Sequence, residues 1–376
     1  MSAARDTRPV RASEHLDWKR LADYLRRELP PHLDVDPAAE MEVEQFPGGH
    51  SNLTYLLRFG GAEVVMRRPP FGPVPPRAHD MAREFRVLAA VHPYFPLAPQ
   101  PYLLCEDPAV IGATFYIMER RRGTIIRLEE PAELVGRVDL RRRASGFMID
   151  TLADLHAVDV AAHGLDALGK PAGFVARQVR GWTERWHGSK TSELTEVEAL
   201  ADWLEERLPP DPPAATLVHG DYKLDNVMFD APRPQRMVGV FDWEMSAVGD
   251  PLVDLGILLC YWVHVAQAGG DSAIAAVTAR EGWFRRDEIV ERYAERSGRA
   301  VDGLPFYEVF AVFKLAVVLQ QIYARFVRGQ TDDERFASLG ERVVLLAKTA
   351  EQLAGSAGGL AGWSAGGPPA GGGKSP

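Results

Sequence analysis

The fold of this chain is decided by the stretch Leu217-Val-His-Gly-Asp-Tyr-Lys-Leu-Asp-Asn226, followed by Val240-Phe-Asp-Trp-Glu244. Apolar residues lead into a His-Gly pair, after which Asp221 begins a loop with Asn226 five residues beyond it. Two short apolar segments, 227–229 and 237–241, are predicted to pair as a hairpin that returns Asp242 to the same place. The stretch therefore brings together two carboxylates and an amide.

These groups suit phosphoryl transfer from ATP, whose transition state is stabilised mainly by positioning and by metal charge. Asp221 would orient and deprotonate a substrate hydroxyl. Asn226 and Asp242 offer the hard oxygen ligands that Mg²⁺ prefers, and Mg²⁺ usually takes only one or two protein carboxylates. We therefore predict Asp221 as a catalytic residue, and Asn226 and Asp242 as magnesium ligands.

The spacing also resembles the kinase catalytic-loop pattern H-R-D-x-x-x-x-N, with Gly220 in place of the arginine. This glycine and the later Gly249-Asp-Pro-Leu-Val-Asp-Leu255 resemble the aminoglycoside phosphotransferase family rather than the protein kinases. Within that family the chain resembles the kinase-like domains fused to, or encoded beside, acyl-CoA dehydrogenases. Further segments that carry the resemblance are Gly48-Gly-His-Ser-Asn-Leu-Thr-Tyr55, Arg67-Arg-Pro-Pro70, Ala78-His79, Phe115-Tyr-Ile-Met-Glu119 and Phe241-Asp-Trp-Glu244.

The resemblance implies an α+β, two-lobed protein-kinase-like fold, with a small antiparallel-sheet first lobe and a mostly helical second lobe. It implies an enzyme, a phosphotransferase with an alcohol group as acceptor, that uses ATP and Mg²⁺. Lys223 matches the lysine of the kinase Asp-Leu-Lys position, so the resemblance gives it contact with the γ-phosphate as a second catalytic residue.

Nucleotide-binding residues are expected in two places in the first lobe. The turn before the first strand pair is rich in residues that allow close backbone approach, and Gly49, Ser51 and Asn52 are predicted to lie over the ATP phosphates. Taken alone, Gly-Gly indicates only a tight turn. At the end of the last strand of the sheet, Glu119 and Arg121 are predicted to contact adenine through their main chain.

The first lobe has no lysine, since none occurs in residues 20–169. Kinases pair a strand lysine with a helix glutamate to align the α- and β-phosphates. The resemblance places Arg67 at the strand position and Glu84 on a helix predicted over residues 77–92. Arginine's planar fork differs in reach from lysine. Alternatively, Arg67 or Arg68 is a solvated charge on an edge strand.

Four regions are expected along the chain. The final segment is composed of Gly, Ala, Ser and Pro, which bury too little surface to fold. The predicted regions are an N-terminal extension with a helix capped by Ser13 (1–35), a nucleotide-binding first lobe (36–119), a catalytic and substrate-binding second lobe (120–354) and a disordered tail (355–376).

Composition excludes several classes of protein. The net charge of −9 over 376 residues argues against a nucleic-acid binder. Two cysteines, Cys105 and Cys260, cannot form a disulfide framework. The apolar run 255–265 is about half the length of a membrane span, and the N-terminus lacks a signal-peptide core. A cytoplasmic enzyme is expected, without a membrane or nucleic-acid partner.

Information on the phosphoryl acceptor comes from a helix predicted over residues 306–328. No Asp or Glu occurs in residues 309–331, which suits polycationic aminoglycosides poorly. Lys314 and Arg325 are predicted to contact an anionic substrate with an apolar body, such as a hydroxyacyl-CoA or a hydroxy acid. Alternatively these basic groups snorkel to solvent. Three roles stay open for Glu244: it binds a second metal, contacts the substrate or supports a neighbouring residue.

Other functions stay open at this point. One is an aminoglycoside-type antibiotic kinase. Another is a nucleotide-binding module without turnover, because Arg67 breaks the usual strand lysine pair. A third is a partner of an acyl-CoA dehydrogenase.

Overall fold

The computed structural model describes residues 6–36, 38–47, 52–72, 79–127, 129–230, 234, 236–265, 277–331 and 333–356. Two predicted nucleotide-binding residues, Gly49 and Ser51, lie outside these ranges, as does nearly all of the predicted tail. The chain forms two compact units. Unit 1 comprises Met1–Ile126, Ala161–Leu168 and Asp225–Ser246, and unit 2 comprises Arg127–Val160, Gly169–Leu224 and Ala247–Pro376.

Unit 1 contains a five-stranded antiparallel sheet in the order β1-β2-β3-β5-β4. This is the small antiparallel sheet that the resemblance implied for the first lobe. Gly60, in the turn between β2 and β3, has a φ of 59°, which a two-residue hairpin turn requires. The strands are β1 (Met41–Gln45), β2 (Leu53–Phe59), β3 (Ala62–Arg68), β4 (Pro101–Cys105) and β5 (Phe115–Glu119).

Helix α1 (Trp18–Glu28) packs its apolar stripe against one face of this sheet. Leu21 and Leu25 are fully buried there with Tyr55 of β2. The prediction that Ser13 caps this helix is wrong. The side chain of Asp17 accepts from the backbone N–H of Arg20 instead, because the helix begins five residues later than Ser13.

Unit 1 also contains helix α2 (Met81–Val91), the short helix α3 (Pro108–Ile111) and a hairpin of β7 (Val227–Phe229) and β8 (Met237–Val240). Residues 225–246 therefore pack with unit 1, whereas the prediction placed them in a continuous second region, 120–354. These residues pack with unit 1 because their hairpin pairs with a segment about 100 residues earlier in the chain. Thr124 and Phe229 exchange backbone hydrogen bonds of 2.7 and 2.9 Å.

Unit 2 is mostly helical. Its two short strands, β6 (Thr216–Val218) and β9 (Ala247–Gly249), pair antiparallel. A π-helical turn, Cys260–His264, follows helix α7. The helices are α4 (Val138–His156), α5 (Phe174–Ser189), α6 (Thr195–Glu206), α7 (Leu252–Leu259), α8 (Arg286–Ser297), α9 (Leu304–Val327) and α10 (Leu339–Ser356).

Helix α9 (Leu304–Val327) lies in the core of unit 2, where it packs on α5, α7 and α10. Among the described helices it alone has the length and composition of a membrane span, with a hydropathy of 1.4 over its best window. However, 61% of that window is buried within the chain. A buried core helix meets the same criterion, so this helix does not indicate a membrane span.

Helices α7 and α9 approach closely at Gly256. A Cβ built there lies 2.5 Å from the carbonyl oxygen of Tyr307, and this oxygen belongs to the backbone of α9 and cannot rotate away. By contrast, a Cβ at Gly188 near the end of α5 meets nothing within 4 Å. The two glycines therefore have opposite structural roles.

We predict that Gly256→Ala destabilises the protein by about 1–3 kcal/mol, because overpacking forces backbone shifts. Gly188→Ala is the matched control and should gain up to about 1 kcal/mol, since alanine loses less entropy in a helix. Urea unfolding monitored by circular dichroism measures both. Equal effects from the two substitutions would contradict the close approach.

Candidate active site

The loop that carries Asp221 follows strand β6 in unit 2. Strand β6 is buried and pairs residue by residue with β9, from Thr216 opposite Gly249 to Val218 opposite Ala247. The chain leaves the strand at a glycine, Gly220, whose φ of 82° is in the left-handed region. This conformation is strained for other residues, which explains why a glycine precedes Asp221.

The carboxylate of Asp254 holds this turn from its amide side. Asp254 accepts from the backbone N–H groups of His219 and Gly220, at 2.6 and 2.7 Å. Nε2 of His156 lies 3.3 Å from the same carboxylate, and its Nδ1 lies 2.7 Å from the Tyr293 hydroxyl. Burial acts to raise the pKa of Asp254, but His156 and the His219 amide hold that pKa below its usual value.

Lys314 holds the same turn from its carbonyl side. Its Nζ donates to the carbonyl oxygen of Gly220 at 2.6 Å and lies 5.4 Å from the ring centroid of Trp182. Burial lowers the pKa of this ammonium, although the carboxylates of Asp221 and Asp254 oppose that shift. Sequence reasoning assigned Lys314 to the substrate and missed this contact, since no local pattern connects positions 94 residues apart.

Arg325, the other basic residue predicted to contact the substrate, is exposed near the end of α9. It follows Lys314 by eleven positions, which is about 16 Å along a helix. The structure therefore places Lys314 at the loop and does not bring Arg325 to it. The predicted basic face does not act as one group.

Asp221 and Lys223 contact each other. Lys223 Nζ lies 2.7 Å from Asp221 Oδ2, and each side chain is 19% exposed. The same ammonium lies 4.7 Å from the ring centroid of Tyr261, on the π-helical turn. Both predicted catalytic side chains are thus accessible to a substrate. Tyr261 was not identified from the sequence.

The two predicted metal ligands meet at one end of the hairpin in unit 1. Val227 pairs with Val240, and beyond that pair the Phe241 N–H donates to the Asn226 carbonyl at 2.8 Å. Asp242 follows directly, with a φ of 69° that non-glycine residues rarely adopt. Such strain is typical of functional positions. Asn226 and Asp242 are therefore neighbours.

Arg67 lies between two carboxylates of unit 1. Its Nη1 is 3.2 Å from Glu84 Oε1, and its Nη2 is 2.6 Å from Asp242 Oδ1. The edge-strand alternative is wrong, because β3 is a central strand between β2 and β5 and Arg67 is buried. Arg68 points to the other face and packs on Phe71, 4.0 Å from the ring centroid.

The buried Nε of Arg67 has no hydrogen-bond partner among the described residues. Glu84 and the buried hydroxyl of Tyr116 interact with each other beside it. Burial raises the pKa of Glu84 to about 7; Arg67 opposes the rise, and Asp242 and Glu244 add to it. Carboxylates therefore surround the Arg67 guanidinium in this part of unit 1.

Asn52 and Glu244, both predicted site residues, contact each other in unit 1. Asn52 Nδ2 donates to Glu244 Oε2 at 3.3 Å, and its Oδ1 lies 2.7 Å from His79 Nδ1. Arg83 donates to the carbonyl oxygens of Glu244 and Ser246. Sequence analysis did not assign roles to His79 and Arg83, although His79 belongs to a segment that carried the resemblance.

Glu119 and Arg121, predicted to contact adenine through their main chain, lie at the end of β5. The Glu119 N–H donates to the Gln100 carbonyl at 2.8 Å, so this donor is already used. The Arg121 guanidinium donates to the Pro96 carbonyl at 2.7 Å and pairs with Glu119 at 2.8 Å. Both side chains therefore have partners within unit 1. The main-chain contact of Arg121 with adenine stays a prediction.

The residues present fit a magnesium–nucleotide complex. The described residues contain no group of three or more His, Cys, Asp or Glu that would form a protein-only metal site. Asn226 and Asp242 would instead supply two oxygen ligands, which suits Mg²⁺ that shares its shell with phosphates. The buried Nε of Arg67, which has no partner among the described residues, is consistent with a site that a ligand completes.

The chain matches known proteins along most of its length. Residues 42–289 match the profile of the phosphotransferase enzyme family. Acyl-CoA dehydrogenase family member 11 from Rattus norvegicus is 34% identical over 360 residues, which cover 94% of this chain. The match covers 45% of the rat protein, so the chain spans less than half of that relative.

Solved structures share the fold. A protein from Ralstonia eutropha, named provisionally as an aminoglycoside phosphotransferase, superposes with a TM-score of 0.74 at 32% identity, covering 91% of this chain and 99% of that one. A thermostable mutant aminoglycoside phosphotransferase, in ternary complex with ADP and hygromycin B, has a TM-score of 0.56 at 15% identity, covering 90% and 99%. The second likeness shows the fold alone. The predicted two-lobed, kinase-like α+β fold is confirmed.

We predict that Asp254→Asn destabilises the protein by about 2–3 kcal/mol, because one of two buried backbone N–H groups loses its charged acceptor. The matched control is Asp211→Asn, at an exposed carboxylate that accepts from a single N–H, that of Gly173. Its effect should stay within about 0.5 kcal/mol. Urea unfolding of both variants decides, and a small effect at Asp254 would show that the turn is held by other contacts.

Proposed function

Because the chain belongs to the phosphotransferase enzyme family, we propose that it is an ATP-dependent small-molecule kinase that transfers the γ-phosphoryl group to a substrate hydroxyl. The observation that carries this proposal is the position of Asp221. Its carboxylate is accessible and paired with Lys223 at 2.7 Å. It follows Gly220, whose N–H is held by Asp254 and whose carbonyl is held by Lys314. The resemblance to the aminoglycoside phosphotransferase family, which the sequence predicted, agrees with it.

The residues of unit 2 would perform the acceptor's chemistry. Asp221 accepts a hydrogen bond from the attacking hydroxyl and takes its proton on a carboxylate oxygen. Lys223 turns from Asp221 toward the transferred phosphoryl group, where an ammonium stabilises negative charge. His156 and Asp254 are buried and hold the backbone of the loop, and we assign them to positioning.

The residues of unit 1 would bind the nucleotide. Asn226 and Asp242 hold the metal through oxygen atoms, and Arg67, anchored by Glu84, contacts the phosphates. When bound, Mg-ATP supplies the phosphoryl group and the positive charge that offsets the charge developing on its oxygens. The ADP of the ternary complex with hygromycin B supports nucleotide binding by this fold.

A nucleotide-binding module without turnover is the less favoured alternative. Its basis is the arginine in place of the strand lysine. Arg67 nevertheless makes the ion pair with Glu84 that a strand cation would make, at 3.2 Å. A module without catalysis would also have no chemical need for Asp221 and Lys223.

For the acceptor we propose a hydroxyacyl-CoA or a hydroxy acid. Residues 309–331 contain no acidic side chain that would bind a polycation. Lys314 donates to Gly220, so the support comes from the lack of carboxylates in residues 309–331 rather than from a basic face. The name of the rat relative adds support for acyl-CoA chemistry, and an acyl-CoA dehydrogenase domain or partner is part of this proposal.

An aminoglycoside-type kinase remains the second candidate for the acceptor. The observation that favours it is the provisional name of the Ralstonia eutropha protein, at 32% identity. The two acceptors differ in charge. An aminoglycoside is a polycation and would need acidic residues at the acceptor site, whereas a hydroxyacyl-CoA or a hydroxy acid is an anion and would not.

Asp221→Asn should lower kcat by ~10²–10⁴-fold, the usual contribution of a general base. The Kd for Mg-ATP should change little, since Asp221 contacts the acceptor. Steady-state kinetics and calorimetry measure the two quantities, with Asp211→Asn as the control. Phosphoryl transfer at a near-normal rate in the Asp221 variant would refute the mechanism.

Asp242→Ala should remove the magnesium dependence of ATP binding, because this is the carboxylate that the metal can least replace. Calorimetric titration with ATP, with and without Mg²⁺, reports the effect. Asp230→Ala, in the same hairpin beyond β7, should keep the magnesium dependence. If Asp242→Ala kept it as well, Asp242 would not be a ligand.

The acceptor is tested by steady-state assays with hydroxyacyl-CoAs, hydroxy acids and kanamycin. We expect phosphorylation of the first two classes and none of kanamycin, because residues 309–331 contain no carboxylate. Efficient phosphorylation of kanamycin, with no activity on hydroxyacyl-CoAs, would show that the substrate proposal is wrong.

A further inference from the structure

The guanidinium of Arg67 contacts the carboxylate to which the metal is assigned. One nitrogen, Nη1, is 3.2 Å from Glu84, and the other, Nη2, is 2.6 Å from Asp242 Oδ1. A distance of 2.6 Å is short even for a charge-assisted hydrogen bond. Arg67 therefore contacts an oxygen that a metal ion bound to Asp242 would need.

Contact with two carboxylates at once suits an arginine better than a lysine. Its planar fork presents two nitrogens that reach Glu84 and Asp242 together, whereas the ammonium of a lysine is a compact point charge. The surroundings hold the guanidinium in place, since its side chain is 11% exposed and that of Glu84 is 1% exposed. The strand lysine that kinases use is thus replaced by a group with a second partner.

We propose that Arg67 is an internal counter-ion that holds Asp242 until nucleotide phosphates arrive, so that this protein binds a divalent cation poorly without nucleotide. Nη2 moves from Asp242 to a phosphate oxygen when the nucleotide binds, while Nη1 stays on Glu84. Asp242 is thereby released at the moment at which the metal arrives with the phosphates. This inference rests on the proposed role of Asp242 as a metal ligand.

The charges of the site favour this exchange. The carboxylates of Asp242 and Glu244 both act electrostatically on Glu84 in unit 1. A cation that approaches Asp242 must compete with the guanidinium that is already paired to it. An ionised phosphate oxygen relieves this competition, because it accepts a charge-assisted hydrogen bond from Nη2 in place of Asp242.

The test measures Mn²⁺ binding to the nucleotide-free protein, by electron paramagnetic resonance of the free ion. Glu84→Gln frees Arg67 to pair with Asp242 alone, so Mn²⁺ should bind no better than to the wild type. Adding Arg67→Met to this variant removes both buried charges together. The double variant should bind Mn²⁺ about tenfold more tightly, since a hydrogen bond to a charged group contributes on the order of one power of ten or more.

Arg86→Met is the matched control, because Arg86 is an exposed arginine on the same helix as Glu84. It should leave Mn²⁺ binding unchanged. Thermal unfolding establishes that each variant is folded before titration. Equal Mn²⁺ affinity in Glu84→Gln and in the folded double variant would overturn the inference.

Asp242→Ala in the double variant separates this inference from the proposed function. Loss of the tightened Mn²⁺ binding is the expected result, and it supports both. If Asp242→Ala abolishes binding but removal of Arg67 gave no tightening, only the role of Arg67 fails. If Mn²⁺ still binds tightly after Asp242→Ala, the metal assignment is wrong and the inference falls with it.

Discussion

The position of Asp221 depends on one buried carboxylate, that of Asp254, which accepts from two consecutive backbone N–H groups. This contact joins the end of β6 to α7, and through His156 and Tyr293 it reaches α4 and α8. Lys314 completes the hold from α9. Four helices of unit 2 thus determine where a single loop peptide lies, and a general base requires this kind of fixed position.

Unit 1 uses a different principle, in which charge rather than backbone contact dominates. Arg67 offsets Glu84 and Asp242, and burial gives Glu84 a raised pKa of about 7. Such a site is stable only while its one guanidinium is paired, because an unpaired buried charge is strongly destabilising. The arginine that replaces the expected lysine keeps the ion pair with Glu84 and adds a second ion pair, with Asp242.

Local patterns predicted the hairpin after Asn226 and the helices over residues 77–92 and 306–328, and the resemblance implied the antiparallel sheet of unit 1. The Lys314 contact and the packing of residues 225–246 with unit 1 were not predictable, because they join positions far apart in sequence. Ser13 was a plausible cap by residue type, but the structure uses Asp17, and type alone cannot decide between two such residues.

The central claim is that this chain moves a phosphoryl group from ATP to a hydroxyl. ³¹P NMR of the protein with Mg-ATP and a mixture of hydroxyacyl-CoAs and hydroxy acids tests it most directly. The account predicts a new phosphate monoester resonance, split by a proton on the adjacent carbon, that grows in step with ADP. Release of inorganic phosphate as the sole product, or no consumption of ATP, would contradict it.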